Sequence, residues 1–128
     1  MDPRRIARLS SVILRESSQL IRREVRDPRL LEVNLTRVEL TPDGGHAILF
    51  YLRSLQGTAN TRDIDDAEDK RDQERVREGL NKLSGWLRRQ LAPTLRLRAA
   101  PEVSFREDRG LENSLRVQQL LEQINSEP

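Results

Sequence analysis

The sequence predicts an α+β domain in which three short strands form one small sheet, with helices packed mainly on one face. Two patterns support this class. Segments with helical periodicity alternate with segments of strand periodicity, in the order helix, strand, strand, helix, helix, strand, helix. The chain has 128 residues, of which 35% are hydrophobic and 34% charged, which is typical of a single folded core with a highly charged surface.

The first segment, from Pro3 to Arg26, is predicted to be an amphipathic helix. Proline is favoured in the first turn of a helix, and Asp27-Pro28 ends the pattern because proline disfavours the helical conformation in the residue before it. The apolar residues that form its buried stripe are Ile6, Leu9, Ile13, Leu20 and Ile21.

Two strands and a tight turn follow. Apolar residues alternate with polar ones from Leu31 to Leu35, and the alternation resumes in the opposite phase at Val38, which predicts a β-bulge or a register change. Turn-forming residues occupy 41–45, and His46 to Leu55 is apolar on both faces, so we expect both faces of this strand to be covered. Together the two strands form a predicted hairpin, and Glu102 to Arg106 is the third strand.

The segment between the second and third strands is predicted to contain two helices. The first begins near Arg62 or Asp63. Gly85 interrupts the apolar pattern, which favours a bend or a close approach by another group, and a glycine tolerated in one long helix is the equally weighted alternative. Ala92-Pro93 is expected to end the second helix. A last amphipathic helix is predicted from Leu111 to Ile124, before a short polar tail at 125–128.

Charge is unevenly distributed along the chain, although the net charge is only +2. Residues 4–29 contain eight arginines and three acidic residues, and residues 79–98 contain five basic residues and no acidic one. Residues 62–78 contain eight acidic and five basic residues, and this acidic excess is most simply a solvated helix surface. Basic segments without acidic neighbours attract polyanions, so the distribution favours a nucleic-acid ligand.

Enzyme chemistry has little support in the sequence. There is no cysteine, and His46, the single histidine, lies where a polar residue enters a strand. The acidic residues at 65–72 lack the spacing and the glycine of a calcium loop, and no phosphate-binding glycine motif is present. We therefore expect no catalysis, no cofactor and no metal. The absence of a long apolar run predicts no membrane segment and a cytoplasmic location.

Several short stretches, in order along nearly the whole chain, resemble the bacterial ribosome-binding factor A family. The family usually has Ala-x-Gly where this chain has Leu83-Ser84-Gly85, so a larger residue replaces the alanine. The stretches that carry the resemblance are Asp27-Pro28-Arg29-Leu30, Thr41-Pro42-Asp43, His46-Ala47, Leu80-Asn81, Ser84 to Leu91, Leu95-Arg96-Leu97-Arg98 and Pro101 to Phe105.

The resemblance implies a type II KH fold, αββααβ, here with an additional C-terminal helix and a helix-kink-helix at Ser84-Gly85. It implies one such domain over residues 1–128, without enzymatic activity. It also implies a factor that assists late maturation of the small ribosomal subunit, binds its rRNA, favours correct processing of the precursor 5′ end and is associated with growth in the cold. The expected partners are the small subunit and its rRNA. Whether an assembly GTPase is a further partner is left open, and the expected oligomeric state is a monomer.

The predicted RNA contacts fall into two groups. Glycine lets a phosphate backbone approach the main chain closely, and ordinary KH domains have a GxxG loop at the position that Gly85 occupies. The Trp86 side chain could stack on a base, but we expect it to be core. The first group is Lys82, Ser84, Gly85, Arg88, Arg89, Arg96 and Arg98, and the second is Arg4, Arg5, Arg8, Arg22 and Arg23.

Two other functions remain open from the sequence. One is a protein-interaction adaptor in which the acidic helix at 63–78 docks a basic partner. The other is a DNA-binding regulator in which the Gly85 region is the turn of a helix-turn-helix, although no dimerisation element is evident.

Overall fold

A computed structural model describes residues 1–53 and 66–108, and in them it confirms the predicted α+β class. Two helices and three strands are present there, together with a single 3₁₀ turn. In chain order they are α1 (Pro3–Glu24), the 3₁₀ turn (Pro28–Leu30), β1 (Asn34–Leu40), β2 (His46–Leu52), α2 (Asp66–Leu95) and β3 (Glu102–Glu107). The predicted helix start at 62–63, the C-terminal helix at 111–124 and the tail at 125–128 lie outside the described residues.

Side chains define both ends of α1. The Asp2 carboxylate accepts a hydrogen bond from the Arg4 amide at 3.1 Å, and Pro3 occupies the first turn, where its missing N–H has no cost. After Val25 the chain is extended, and the Asp27 carboxylate then caps the 3₁₀ turn by accepting the Arg29 amide at 3.0 Å. The predicted helix thus ends two residues early, at Glu24.

β2 is the central strand of a mixed sheet with the order β1-β2-β3. It pairs with β1 in an antiparallel hairpin and with β3 in parallel, so α2 forms the crossover that a parallel connection requires. The register of the hairpin shifts between Leu35 and Arg37, which confirms the predicted bulge or register change. In the turn, the Asp43 carboxylate accepts the Gly45 amide at 2.9 Å, and Gly44 has a φ of 74°, in the left-handed region.

Both helices pack on one face of the sheet, as predicted. Ile13 of α1, Leu49 of β2 and Leu87 and Leu91 of α2 are at most 1% exposed and belong to one cluster. A second cluster joins the sheet to the 3₁₀ turn and the first half of α2. Its buried members are Leu30, Tyr51, Val76 and Leu80.

The opposite face of β2 is covered unevenly. Phe50 is 9% exposed, and the Arg37 guanidinium lies 3.7 Å from the centre of its ring, which is a cation–π contact. Ile48 and Leu52 on the same face are only half-buried. The prediction that both faces are covered is therefore confirmed for Phe50 and only partly for its neighbours.

α2 corrects the predicted pair of helices. Its helical hydrogen bonding continues without a break through Ser84 and Gly85 to Leu95, so the segment is one helix, and a bend at Gly85 stays a prediction. The predicted end at Ala92-Pro93 is wrong, because Pro93 lies inside the last turns of the helix. The described order of helix, strand, strand, helix and strand around a mixed sheet is that of a KH-like fold.

Candidate nucleic-acid interface

The second half of α2 holds its basic residues away from the core. Leu80, Leu87 and Leu91 are buried against the sheet, whereas Lys82 and Arg89 are exposed. Lys82, Gly85 and Arg89 are spaced three and four residues apart, so they share one face of the helix. These three predicted contacts are therefore brought together on the solvent side of α2.

Gly85 lies on that face with open space beside it. A Cβ built on Gly85 would meet one neighbour within 4 Å, the flexible end of the Arg89 side chain, with Nη1 at 3.6 Å. Nothing in the described part of the chain therefore requires a glycine here. A helical glycine costs about 1 kcal/mol relative to alanine. Internal packing of the described residues does not account for a glycine at this position, whereas contact with an outside ligand would.

Ser84 and Trp86, which flank Gly85, both point partly into the protein. The Ser84 hydroxyl is half-buried and donates to the Leu80 carbonyl at 3.4 Å. Trp86 is half-buried against the main core cluster, which confirms the core interpretation of this residue. Leu83 is likewise half-buried against the second cluster.

A short loop carries two more of the predicted contacts from the end of α2 to β3. Arg96 has a φ of 52° and is the one described non-glycine residue with positive φ. Arg96 and Arg98 are exposed, whereas Leu97 between them is half-buried against the core cluster. The alternation directs both guanidinium groups outward at the C-terminal end of α2.

Arg88 has a role that the sequence did not reveal. Its Nε and Nη2 atoms donate to the Ala100 carbonyl at 3.0 and 2.9 Å, which ties α2 to the loop before β3. The side chain is exposed, and a carbonyl carries no net charge, so this bond does not neutralise the positive charge of Arg88. Arg88 thus belongs to the basic surface but is also a structural link.

The basic residues of the second half of α2 and the loop after it have no acidic partners among the residues that the structure describes. Lys82, Arg89, Arg96 and Arg98 make no ion pair with any described residue. Several arginines elsewhere in the described chain are paired, although Arg71 and Arg75 in the first half of α2 are not. The paired ones include Arg29 with Asp27, Arg37 with Asp108, Arg53 with Glu107 and Arg77 with Glu74.

The second predicted group, on α1, does not form one patch. Arg5 and Arg22 are 17 positions apart, which at 1.5 Å per residue is about 25 Å along the helix axis. Arg22 and Arg23 are in the last turn, where positive charge also stabilises the helix dipole. The group therefore divides into two exposed clusters at opposite ends of α1. Those clusters are Arg4, Arg5 and Arg8 at the start and Arg22 and Arg23 at the end.

The acidic half of α2 lies on the surface, as predicted, but two of its carboxylates, Asp69 and Asp72, also have an internal partner. Arg53, directly after β2, donates from Nη1 to Asp69 Oδ1 at 2.9 Å and to Asp72 Oδ2 at 3.0 Å. Its Nε donates to Glu107 Oε1 at 2.8 Å, and Gln73 donates to the other Glu107 oxygen at 2.7 Å. Burial disfavours the charged form of Arg53, but these bonds outweigh burial and raise its pKa above the ordinary value. No motif in the sequence marks this network.

A second ion pair lies beside the candidate interface. Arg29 donates to both Asp27 carboxylate oxygens, and these bonds, with the capping bond from its own amide, hold the pKa of Asp27 at about 2. Lys82 lowers the Asp27 pKa further through its positive charge. The negative charge near Lys82 is therefore already matched by Arg29.

His46 has a structural partner, in line with the prediction for this residue. Its Nε2 lies 2.7 Å from Ser104 Oγ across the β2-β3 pair. Among residues 1–53 and 66–108, no group of three or more His, Cys, Asp or Glu residues could hold a metal ion. In the same ranges, no helix is long and apolar enough to cross a membrane.

The fold and this surface define a class of protein: a small KH-like α+β domain with unpaired cations around an exposed helical glycine. Comparison with known proteins narrows the class. The family model described as ribosome-binding factor A matches residues 5–121. Ribosome-binding factor A of Thermomicrobium roseum is 39% identical over 127 residues, which cover 99% of this chain and 88% of that protein. The chain belongs to the ribosome-binding factor A family.

Solved structures show the same fold. The crystal structure of ribosome-binding factor A from Thermus thermophilus is similar to this chain, with a TM-score of 0.61 and 21% identity. The match covers 81% of this chain and 97% of that one. A Thermus thermophilus ribosome binding factor A fitted into the cryo-EM map of a 30S complex has a TM-score of 0.50 and 22% identity, with 81% and 91% covered.

Proposed function

We propose that this protein binds rRNA of the free small ribosomal subunit and assists its late maturation, including processing of the precursor 5′ end. It acts by charge and shape, without catalysis or a cofactor, as a cytoplasmic monomer whose single domain spans residues 1–128. Release by an assembly GTPase and a role during growth in the cold are parts of the same proposal.

One observation carries the proposal. The second half of α2 and the loop after it present Lys82, Arg89, Arg96 and Arg98 without ion-pair partners among the described residues, around an exposed glycine that no described neighbour requires. Unpaired guanidinium groups donate to phosphate oxygens without first losing an internal partner. An open glycine lets a phosphate backbone come close to the helix.

The family supports the choice of partner. Its members are ribosome-binding factors, and the Thermus thermophilus factor has been fitted into the map of a 30S complex. This chain has the same KH-like fold, and the family resemblance implies that Gly85 is at the position where ordinary KH domains have the GxxG loop that contacts nucleotide backbones.

The structure weakens both alternative functions. A helix-turn-helix needs a turn, but α2 is continuous through Gly85. An acidic docking helix would present carboxylates without internal partners, and two of those in the described half of α2, Asp69 and Asp72, are bonded to Arg53. Neither alternative is supported by a described contact.

The test is co-sedimentation of the purified protein with separated ribosomal subunits over a range of salt concentrations. We expect selective binding to the small subunit that weakens with salt, because each neutralised phosphate contributes about 0.7 to 0.9 to the logarithmic salt slope. Arg89→Glu should lower the affinity about tenfold or more and flatten the slope. Arg75→Glu, an equal charge change at an exposed position in the acidic half of the same helix, is the matched control.

Gly85→Ala adds a test that does not change charge. Alanine should be tolerated in the free protein because its methyl group meets only the end of the Arg89 side chain. If RNA approaches the helix at this point, the same methyl group should lower affinity for the small subunit. Equal binding to both subunits, or equal affinities of the Arg89→Glu and Arg75→Glu variants, would overturn the proposed interface.

A further inference from the structure

We infer that residues 96–100 form a loop whose conformation is set before RNA binds, and that Arg88 is its positioning residue. The inference rests on the proposed function and deepens it. It assigns Arg96 and Arg98 as the side chains that bind phosphate. It assigns a separate role to Arg88, which positions the loop that contains them.

Apolar residues anchor the loop at both ends. Leu95 is 6% exposed and belongs to the main core cluster, and Pro101 is fully buried. Beyond Pro101, the Glu102 amide donates to the Gly45 carbonyl at 2.9 Å, which fixes the start of β3 against the hairpin turn. Only residues 96–100 connect these two fixed points, so the loop has little freedom in its path.

The backbone conformation of Arg96 is a second constraint. A φ of 52° is in the left-handed region, which glycine or asparagine enters more easily than arginine. This conformation ends α2 and turns the chain toward β3. An arginine at a position that favours glycine is unusual, and it directs a guanidinium group into solvent where the helix ends.

The Arg88 bond fixes the last residue of the loop. Two donors of one planar guanidinium group meet the same Ala100 carbonyl at 3.0 and 2.9 Å. That carbonyl lies only two residues after Arg98, so the bond restrains the backbone that carries the exposed guanidinium groups. A loop that is ordered before binding loses less conformational entropy when it binds, and this smaller loss makes the affinity higher.

Lysine separates the two tasks of Arg88. An ammonium group keeps the positive charge but does not supply the paired, planar donors that arginine supplies. Arg88→Lys should therefore keep the charge of the surface and loosen the loop. Arg75→Lys is the matched control, because Arg75 is exposed in the acidic half of the same helix and lies outside the basic surface.

The experiment is a double-mutant cycle measured with purified small ribosomal subunits at fixed salt concentration. We expect Arg88→Lys to lower affinity about three- to tenfold and Arg75→Lys to lower it less than about twofold. In a background that carries Arg96→Ala and Arg98→Ala, Arg88→Lys should have no further effect, because the side chains it positions are gone. An equal loss in both backgrounds would show that Arg88 acts by itself and would overturn the inference.

Hydrogen exchange of the free protein tests the loop without any ligand. Arg88→Lys should accelerate exchange of the Glu102 amide, which donates to the Gly45 carbonyl at 2.9 Å directly after the loop, and Arg75→Lys should leave it unchanged. Unchanged exchange in Arg88→Lys would also overturn the inference. If the wild-type protein does not bind the small subunit, the proposed function is contradicted. The exchange experiment uses no ligand, so it still tests whether Arg88 orders the loop.

Discussion

Gly79 of α2 lies directly against Leu30 of the 3₁₀ turn, so that a Cβ built on Gly79 would be 3.2 Å from Leu30 Cδ2 and 3.4 Å from Asp27 Oδ2. Both Gly79 and Leu30 are buried. Gly79 is therefore the glycine of α2 that internal packing requires, whereas Gly85, six residues later, is exposed.

The two glycines should respond oppositely to alanine. Gly85→Ala should stabilise the fold by about 0.5 to 1 kcal/mol, because alanine has the higher helix propensity and meets no rigid neighbour. In Gly79→Ala the same gain in helix propensity is outweighed by overpacking against Leu30, which costs about 1 to 3 kcal/mol of stability. We therefore expect the free energy of unfolding to fall by about 1 kcal/mol. Urea unfolding of both variants measures the difference, and a Gly79→Ala variant more stable than wild type would contradict the packing argument.

Ser17→Ala should stabilise the protein by about 1 to 2 kcal/mol. Ser17 is 0% exposed on the core side of α1, and its hydroxyl oxygen has no hydrogen-bond partner in the described structure. Alanine removes a buried hydroxyl and improves helix propensity at the same time. Ser11→Ala is the control, because the exposed Ser11 hydroxyl donates to the Ala7 carbonyl at 3.1 Å. Thermal unfolding should show a smaller change for Ser11→Ala, and equal shifts would refute this explanation.

Arg53→Met should destabilise the fold by about 2 to 3 kcal/mol. Methionine keeps most of the apolar stem but removes the guanidinium from the Glu107 carboxylate, whose side chain is 12% exposed and also accepts from Gln73. Arg77→Met removes an exposed pair with Glu74 at 3.6 Å and should cost less than about 0.5 kcal/mol. Both values are read from urea denaturation at neutral pH, and similar losses would mean that the Arg53 network adds nothing beyond a surface pair.

Acid should weaken the fold partly through Asp27. Folding lowers the pKa of this carboxyl from 3.8 to about 2, so its contribution to stability is fully present above about pH 4 and is lost as the pH falls toward 2. Asp27→Asn should make the free energy of unfolding less dependent on pH in this window. Glu32→Gln, at an exposed carboxylate with no ion pair among the described residues, is the control. If the free energy of unfolding of both variants depends on pH as it does in the wild-type protein, the Asp27–Arg29 pair does not contribute to acid sensitivity.

The continuous α2 helix has a simple energetic reason. One helical glycine costs about 1 kcal/mol, whereas Leu80 and Leu87 on either side of Gly85 are both 0% exposed, and each buried leucine contributes about 1.5 to 3 kcal/mol. Packing on both sides therefore outweighs the local cost. Pro93 is tolerated because it removes only the bond to the Arg89 carbonyl, near the helix end.

Local patterns in the sequence are enough to predict most of the elements that the structure describes. The stripe of α1, the bulge between Leu35 and Val38, the turn at 41–45 and the basic segment at 79–98 all depend on neighbours a few residues apart, and their spacing is visible in the chain. Family membership also follows from such short stretches, because many of them occur in the same order.

Which of the charges are free depends on the three-dimensional fold. Arg88 and Ala100 are 12 residues apart, and Arg53 and Glu107 are 54 apart, yet each pair is joined by hydrogen bonds at 2.8 to 3.0 Å. Composition does not distinguish Arg88, which holds a loop, from Arg89, which has no ion pair with a described residue. The physical reason is that hydrogen bonding and ion pairing depend on distances of about 3 Å, and only the folded backbone sets these between residues remote in sequence.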